Sequence, residues 1–385
     1  MLFNRFLLLC VLLSLLPACA TPQTQTVRIA TFNTALSRAE PGQLHSEFAQ
    51  GDDEQAKLVA EVLQRSRPDI VLLQEVDYDP TGKAYADFQR NYLSISQNGA
   101  EPIAYKYVYA PPVNTGVLAP VDLDGDGQIT RPNDCYGYGL FEGHYGMVVL
   151  SKHRFEQTDD TYLRELLWKD LYGHQMPKDY YSDRAINHLR LSSKTHQVIP
   201  IQFCNKQVNL LASHPTPPVF DGTEDRNGRR NFDEIGLWLR VIASYDWSKS
   251  GQSKRGVNSD PDGFIILGDL NADPNDGESI PGAIDQLLDH AAVNASIIPT
   301  SEGGVEAARL QAGKNLTHRS EPAADTADFP DGDRGPGNLR VDYVLPSIDL
   351  NVVGSGVYWP TSDDPHAYLN KASDHKLVWI DVRLP

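Results

Sequence analysis

Side chains that bind metal ions or move protons stand at or beside six apolar runs of this sequence. They are Asn33, Glu75, His214, Asp269 with Asn271, Asp342, and Asp374 with His375. A single such residue at a strand end is commonly a turn former. Strand ends of one sheet, however, collect along one rim, so six such runs predict convergence on a single cleft.

This set of side chains fits the hydrolysis of a phosphate ester. Carboxylate and amide oxygens suit Mg²⁺, Mn²⁺ or Ca²⁺, and such an ion neutralises phosphate charge and lowers the pKa of bound water. Histidines can contact the phosphoryl oxygens or protonate a leaving group. A buried carboxylate such as Asp342 can orient a histidine and stabilise its cation.

The elements that must position these residues alternate between strands and helices. Buried strands are predicted at Val27–Phe32, Ile70–Leu73, Met147–Leu150, Val198–Phe203, Val208–Ala212, Phe264–Leu267, Val341–Leu345, Val352–Tyr358 and Leu377–Val382. Helical periodicity is present in Glu54–Arg65, Phe232–Trp247 and Pro281–Asp289, and Gln202–Asn209 predicts a hairpin. Long loops are predicted at 97–145, 155–187, 215–231 and 300–338. With no linker between these elements, we expect one α/β domain with mixed sheets.

The order of several short segments gives the chain a family resemblance. The segments are ATFN (30–33), LLQEV (72–76), GMVVLSKHRF (146–155), LLASHPTPP (210–218), ILGDLNADP (266–274), RVDYVLPS (340–347) and SDH (373–375). Together they resemble the endonuclease/exonuclease/phosphatase superfamily of DNase I-like proteins. The resemblance implies a four-layer α/β sandwich, in which two mixed β-sheets pack face to face with helices outside.

The same resemblance implies a metal centre. Asn33 and Glu75 would lie at the ion, with Glu75 as its direct ligand, and Asp374 matches the family residue near the metal. The expected cofactor is Mg²⁺ or Mn²⁺.

The resemblance also implies roles in the reaction. Asp269 would position or activate the attacking water, and Asn271 would orient that water and touch the phosphate. His375, paired with Asp342, would hold the phosphate oxygens in the transition state. His214 matches the second family histidine, on the leaving-group side.

Three basic side chains lie outside the family segments, around the start of one predicted strand. Arg190, Lys194 and His196 either bind a second phosphate or the body of the substrate, or form a solvated strand face. Residues 225–231 contain a second basic stretch. There, Asn231 and Glu234 predict a capping box at the start of a helix, and Arg229 and Arg230 either face the cleft or belong to the cap.

An acidic, glycine-rich stretch spans residues 122–134. Asp122, Asp124 and Asp126 have the spacing that begins an EF-hand loop, although position twelve is Asn133, with Asp134 next. Three carboxylates within five residues repel one another unless a cation joins them, so we expect a structural Ca²⁺ here. The alternative is an acidic turn.

The N-terminal segment is predicted to direct export. Residues 1–18 have the short cationic head and apolar run of a signal peptide, and LPAC (16–19) resembles a lipobox, which predicts lipidation of Cys19. Residues 19–26 would form a polar tether and residues 27–385 the endonuclease/exonuclease/phosphatase domain. The mature protein would be anchored to a bacterial membrane outside the cytoplasm, where Cys135 and Cys204 either form a disulfide or stay free.

Composition narrows the function. The 385 residues are 41% hydrophobic, which excludes wholesale disorder, and the net charge of −17 disfavours a sequence-independent binder of duplex nucleic acid. The sequence most favours a metal-dependent phosphodiesterase or nuclease that acts as a monomer without a protein partner. A phosphomonoesterase, a phospholipase or sphingomyelinase, and a non-catalytic binding lipoprotein are the alternatives.

Overall fold

A computed structural model describes residues 25–156, 161–203, 206–244, 261–332 and 335–384. Its strands are β1 (Gln25–Asn33), β2 (Ile70–Gln74), β3 (Tyr107–Tyr109), β4 (Met147–Ser151), β5 (His196–Phe203), β6 (Lys206–Ser213), β7 (Gly263–Asp269), β8 (Asp342–Pro346), β9 (Asn351–Tyr358) and β10 (Leu377–Leu384). Its α-helices are α1 (Gln43–Gln50), α2 (Glu54–Ser66), α3 (Lys83–Phe88), α4 (Thr161–Glu165), α5 (Asp183–Ile186), α6 (Arg226–Ala243), α7 (Asp285–Leu288) and α8 (Glu302–Gln311). A π-helical turn at Gln89–Leu93 and 3₁₀ turns at Trp168–Asp170, Gly313–Thr317, Pro322–Ala324 and Ala367–Lys371 complete the helical elements.

The strands form two mixed sheets. The first has six strands in the order β3-β4-β2-β1-β10-β9, and the second has four in the order β5-β6-β7-β8. In each sheet one central pair is parallel, β1 with β2 and β6 with β7, and the other pairs are antiparallel. The carboxyl ends of the parallel strands therefore share an edge of their sheet.

Alternation along the strands builds four layers. Ile29 of β1 and Ile265 of β7 point between the two sheets, whereas Phe32 and Phe264 point outward into the cores beneath the helices. Helices α1 to α3 cover the six-stranded sheet, and α6 covers the four-stranded sheet with Trp238. Because both faces of each central strand are buried, these strands have nearly continuous apolar runs. The predicted four-layer sandwich is confirmed.

All nine strands predicted from the apolar runs are present, with ends that differ by a few residues. Strand β3 and helix α8 lie in segments that were expected to be loops. Gln25 and Thr26 belong to β1 rather than to the tether, and residues 1–24, including Cys19, are outside the described residues. Cys135 is a buried free thiol, and Cys204 is also outside the described residues. Within the described ranges, no helix combines the length and apolar character needed to cross a bilayer.

The predicted capping box at Asn231 is wrong. Helix α6 begins at Arg226, and Asn231 is buried inside it, where its amide donates to the carbonyls of Thr216 at 2.8 Å and Leu270 at 2.9 Å. The first turn of α6 is polar because it faces loops rather than a core. Apolar periodicity consequently begins one turn later than the helix.

Candidate active site

The topology brings the predicted catalytic and metal-binding side chains to one rim. Four strands, β1, β2, β6 and β7, end at this rim with Asn33, Glu75, His214 and Asp269 at or just after their last residues. Strands β8 and β10 begin at the same rim, with Asp342 and His375 at or just before their first residues. In the register of β7 and β8, Asp269 and Asp342 are directly paired. The antiparallel partners begin where the parallel strands end, so their first residues reach the same edge.

Asp269 is the centre of this arrangement. Its Oδ2 lies 3.0 Å from Asn33 Nδ2, 3.3 Å from His214 Nε2 and 3.7 Å from His375 Nε2. Its Oδ1 accepts a hydrogen bond from the backbone N–H of Asn271 at 3.0 Å. Asp269 is almost completely buried, so these neighbours rather than solvent determine its charge and orientation.

His375 is held from behind by a buried chain of hydrogen bonds. Its Nδ1 lies 2.8 Å from Asp342 Oδ2, and the hydroxyl of Thr326 donates to the same oxygen at 2.9 Å. The Thr326 hydroxyl in turn accepts from the backbone N–H groups of Val341 and Asp342. The ring of Phe329 packs edge-on against His375, with centroids 5.3 Å apart. The imidazole is thereby fixed with Nε2 directed towards Asp269.

The two histidines differ in charge because their neighbours differ. Burial lowers the pKa of His375, but the carboxylates of Asp342 and Asp269 outweigh burial and raise this pKa to about 10. Burial and the nearby Lys194 ammonium lower the pKa of His214. Burial acts to raise the pKa of Asp269, but His375 and His214 lower it well below its usual range. At neutral pH His375 is therefore a cation beside an Asp269 anion, and His214 is neutral.

The residues expected at the metal lie beside this pair at the cleft wall. Asn33 Nδ2 lies 3.3 Å from Glu75 Oε1, and Ser373 Oγ bonds both the Asn33 carbonyl at 2.8 Å and Asp374 Oδ1 at 3.3 Å. Glu75 is partly exposed and Asp374 is exposed at the cleft edge. Carboxylate and amide oxygens without thiol ligands are the donor set of a hard divalent cation, so these residues fit Mg²⁺ or Mn²⁺.

Backbone conformation at the rim is unusual for three residues that follow or end strands. Glu75 has φ 56° and Asn271 has φ 53°, both in the left-handed region. Such conformations cost roughly 1–3 kcal/mol and concentrate at functional sites. Gly268 has φ 149°, and a Cβ there would lie 1.9 Å from the Ser213 carbonyl oxygen. Only glycine therefore lets β7 approach β6 closely enough to place Asp269 beside His214.

These residues line a cleft of about 1300 Å³. Asn33, Glu75, His214, Asp269, Asn271, Asp374 and His375 all contribute to its wall, and Asp342 lies behind His375. Six aromatic side chains also line the cleft: Tyr138, Tyr145, Tyr180, Tyr181, Phe220 and Phe329. The cleft is larger than the phosphate group alone requires.

The three basic residues proposed to bind substrate have different environments. Lys194 is buried and lines the cleft, where its Nζ lies 3.4 Å from the Pro215 carbonyl and burial lowers its pKa. His196 is fully buried, and its ring nitrogens bond Ser192 Oγ and the Glu234 carbonyl. Arg190 bonds Asn114 Oδ1 at 2.7 Å and lies over the Tyr136 ring. None of the three forms a solvated strand face, and only Lys194 has access to the cleft.

Both Arg229 and Arg230 bond the backbone, and Arg230 also lines the cleft. Arg230 donates to the carbonyls of Leu191, Tyr136 and Arg190, and Arg229 donates to the Glu224 carbonyl. Because these guanidinium groups are bonded to the backbone, they tie the loops around the cleft to α6.

The acidic stretch forms a compact loop at the edge of the cleft. Carboxylate oxygens of Asp122, Asp124, Asp126 and Asp134 lie within 4.8 Å of one another. Asp134 rather than Asn133 is therefore the fourth acidic member, while Asn133 Nδ2 donates to Asp124 Oδ2 at 2.9 Å. Asp124 and Asn133 also line the cleft.

Sequence reasoning missed two residues that position the site. Ser373 lies inside the SDH motif, so its place beside Asp374 and His375 could have drawn attention to it. Thr326 had no such signal. It reaches Asp342 because the segment around Ala327 bridges to Leu339 and His375, contacts that no local pattern indicates.

The fold and the converging side chains define a DNase I-like α/β sandwich. The sequence profile of the Endonuclease/Exonuclease/phosphatase family matches residues 30–375, and the chain belongs to this family. Members of the family are generally hydrolases of phosphoric esters.

Solved structures with a similar fold include an endonuclease/exonuclease/phosphatase from Beutenbergia cavernae, with 16% identity, a TM-score of 0.47, and coverage of 93% of this chain and 72% of that one. A family protein from Leptotrichia buccalis has 14% identity and a TM-score of 0.47, covering 93% of this chain and 100% of that one. A mannosyl-6-phosphatase from Bacteroides thetaiotaomicron has 13% identity and a TM-score of 0.45, covering 92% of this chain and 99% of that one. Comparison with curated proteins gives no match.

Proposed function

We propose that this protein is a divalent-metal-dependent phosphoesterase that hydrolyses phosphodiester bonds outside the cytoplasm. The observation that carries the proposal is the buried Asp269, whose Oδ2 lies 3.3 Å from His214 Nε2 and 3.7 Å from His375 Nε2 and accepts from Asn33, which also bonds Glu75. Because all the predicted catalytic and metal-binding side chains are present together, hydrolysis is favoured over binding alone, which disfavours a non-catalytic lipoprotein.

The side chains divide the work by charge and position. Glu75, with Asn33 and Asp374 beside it, would hold the divalent ion, which would neutralise phosphate charge when bound. Asp269 is a carboxylate with histidine Nε2 atoms at 3.3 and 3.7 Å from one of its oxygens, and it is suited to orient the attacking water. The His375 cation would hold the phosphoryl oxygens, and Asn271 would present its amide to the same group. Neutral His214 would lie at the leaving-group side.

The cleft favours a diester over a small monoester. The cleft has a volume of about 1300 Å³ and is lined by many residues besides the catalytic ones, so it accommodates organic groups on both sides of one phosphate. A phosphomonoesterase, phospholipase or sphingomyelinase remains the alternative class, which a substrate panel separates.

The deciding experiment measures hydrolysis of bis-p-nitrophenyl phosphate, p-nitrophenyl phosphate, single-stranded DNA, RNA and sphingomyelin at fixed salt. We expect diester hydrolysis that EDTA abolishes and Mg²⁺ or Mn²⁺ restores. Glu75→Gln and His375→Ala should each lower the rate at least ~10²-fold, with Glu302→Gln on the exposed face of α8 as a matched control. Rates that persist in EDTA, or a panel in which only monoesters react, would contradict the proposal.

The second cofactor that we propose is a structural Ca²⁺ in the 122–134 loop. Its support is the set of four carboxylates within 4.8 Å, which repel one another without a cation. In a Glu75→Gln background, Ca²⁺ should raise the melting temperature, since binding at a hundredfold excess over Kd stabilises by about 2.7 kcal/mol. An increment that survives Asp124→Ala/Asp126→Ala would place the ion elsewhere.

We also propose export and lipid attachment at Cys19, on the basis of the apolar run and the LPAC segment. Mass spectrometry of the mature protein should find acylated Cys19 at its N-terminus, and Cys19→Ser should abolish labelling with a fatty acid. A mature chain that begins at another residue would refute lipidation.

A further inference from the structure

The loop that follows His214 carries an exposed aromatic side chain at the cleft. Phe220 lies six residues after His214, lines the cleft and has 85% of its surface exposed. Its backbone has φ 67°, a conformation that non-glycine residues rarely adopt. An exposed phenyl ring buries little apolar surface, and its strained backbone costs free energy, so this residue does not stabilise the fold. Its position indicates a binding role.

The first turn of α6 holds this loop in place. Asn227 donates from its side chain to the Val219 carbonyl and from its backbone to Asp221 Oδ2, both at 2.6 Å. Arg226 donates to the Phe220 carbonyl at 3.3 Å. The ring of Phe220 is therefore presented from a braced loop rather than from a free one.

The same arginine that bonds the Phe220 carbonyl also faces a second aromatic ring. The Arg226 guanidinium lies 5.9 Å from the centre of the Tyr180 ring, and Tyr180 also lines the cleft with 40% of its surface exposed. Tyr180 packs edge-on against Tyr181, with centroids 4.8 Å apart. We name Phe220 and Tyr180 together the aromatic rim.

The charges around the aromatic rim suit a substrate with few phosphates. Arg226 is paired with Glu224 at 2.5 Å, and Arg230 is bonded to three carbonyls. Acidic side chains, including Asp276 and Glu278, contribute to the cleft wall. A long polyanionic strand would need more free cations than this wall supplies.

Resting on the proposed phosphodiesterase activity, we infer that the aromatic rim binds a nucleobase by stacking, and that the substrate is a short nucleotide diester with unpaired bases. Base–aromatic stacking tolerates every base because each has a π face, and it supplies affinity without backbone charge. One phosphodiester would then lie at Asp269 and His375 while a base attached to it stacks on Phe220 or Tyr180.

The experiment compares thymidylyl-thymidine with the same dinucleotide in which both bases are replaced by hydrogen. Wild-type protein should show a KM about tenfold lower for the base-bearing substrate, the scale of one stacking contact. Phe220→Ala and Tyr180→Ala should each reduce this discrimination, and Phe220→Trp should retain it. Tyr172→Ala is the matched control, because Tyr172 is 87% exposed but does not line the cleft.

The outcomes separate this inference from the proposed function. Hydrolysis of both dinucleotides with equal KM, or a Phe220→Ala effect of the same size on both, would overturn base stacking and leave the phosphodiesterase intact. Absence of metal-dependent hydrolysis from every diester would overturn both. A melting temperature close to wild type for each variant shows that a lost preference does not come from unfolding.

Discussion

The hydrogen bond between His375 and Asp342 gives the sharpest test of the site, through the substitution Asp342→Asn. The two side chains are buried and separated by 2.8 Å. A histidine pKa that rises from 6.5 to about 10 represents about 5 kcal/mol of preference for the imidazolium, supplied against burial by Asp342 and then Asp269. Removing the Asp342 charge should therefore move the pKa of His375 down towards its ordinary range.

The change should appear in stability as well as activity. Between pH 6.5 and about 10, wild-type His375 is protonated when folded but neutral when unfolded, so its contribution to stability is present below pH 6.5 and lost as pH rises through about 10. In Asp342→Asn this alkaline loss should flatten. At neutral pH the neutral histidine, or its wrong tautomer, should lower kcat/KM by ~10²–10⁴-fold.

Two measurements check the reasoning. Urea unfolding of the EDTA-treated protein from pH 6 to pH 10 gives the dependence of stability on pH, and bis-p-nitrophenyl phosphate hydrolysis with Mg²⁺ gives the pH–rate profile. Asp349→Asn is the control, because Asp349 is exposed in the turn at the other end of β8. If Asp342→Asn reproduces the wild-type alkaline slope and rate, the carboxylate does not maintain the His375 cation.

Three further substitutions test neighbouring contacts. Thr326→Val removes the hydroxyl that bonds Asp342 and should lower kcat/KM at least ~10-fold while KM stays near wild type, because Thr326 positions His375 only through Asp342. An unchanged rate would contradict that role. Lys194→Met should lower kcat/KM about 10²-fold, since the buried ammonium lies in the cleft beside Asp269 and Glu75, whereas Lys106→Met at an exposed position should have no effect. Glu234→Gln should reduce the free energy of unfolding by about 1–3 kcal/mol, because the buried carboxylate accepts from Ser193 and Thr216, and a urea midpoint equal to wild type would count against it.

The fold was predictable because the central strands are buried on both faces. Ile70–Gln74 and Gly263–Asp269 are almost wholly apolar until their last residue, so the sequence marks both the strand and the point at which chemistry begins. Strand β3 was missed because Tyr107–Tyr109 is short and partly exposed at the sheet edge, and its pairing with β4 supplies what its own pattern lacks. The start of α6 was misplaced for a similar reason, since Arg226 to Arg230 bond neighbouring loops instead of a core.

The candidate site shows where local patterns stop being informative. Asp269 and His375 stand in short motifs, but the charge of His375 depends on Asp342, which lies in a different run. The two meet only because the amino end of β8 in one sheet packs against the residues that precede β10 in the other. His196 has the residue type of a ligand, yet tertiary packing gives both of its nitrogens to Ser192 and Glu234. Residue type therefore identifies a candidate catalytic or binding side chain. Access to the cleft and free hydrogen-bonding atoms distinguish a catalytic or binding role from a structural one. By that criterion Lys194 and Phe220, which no family segment contains, are candidates for function because both line the cleft.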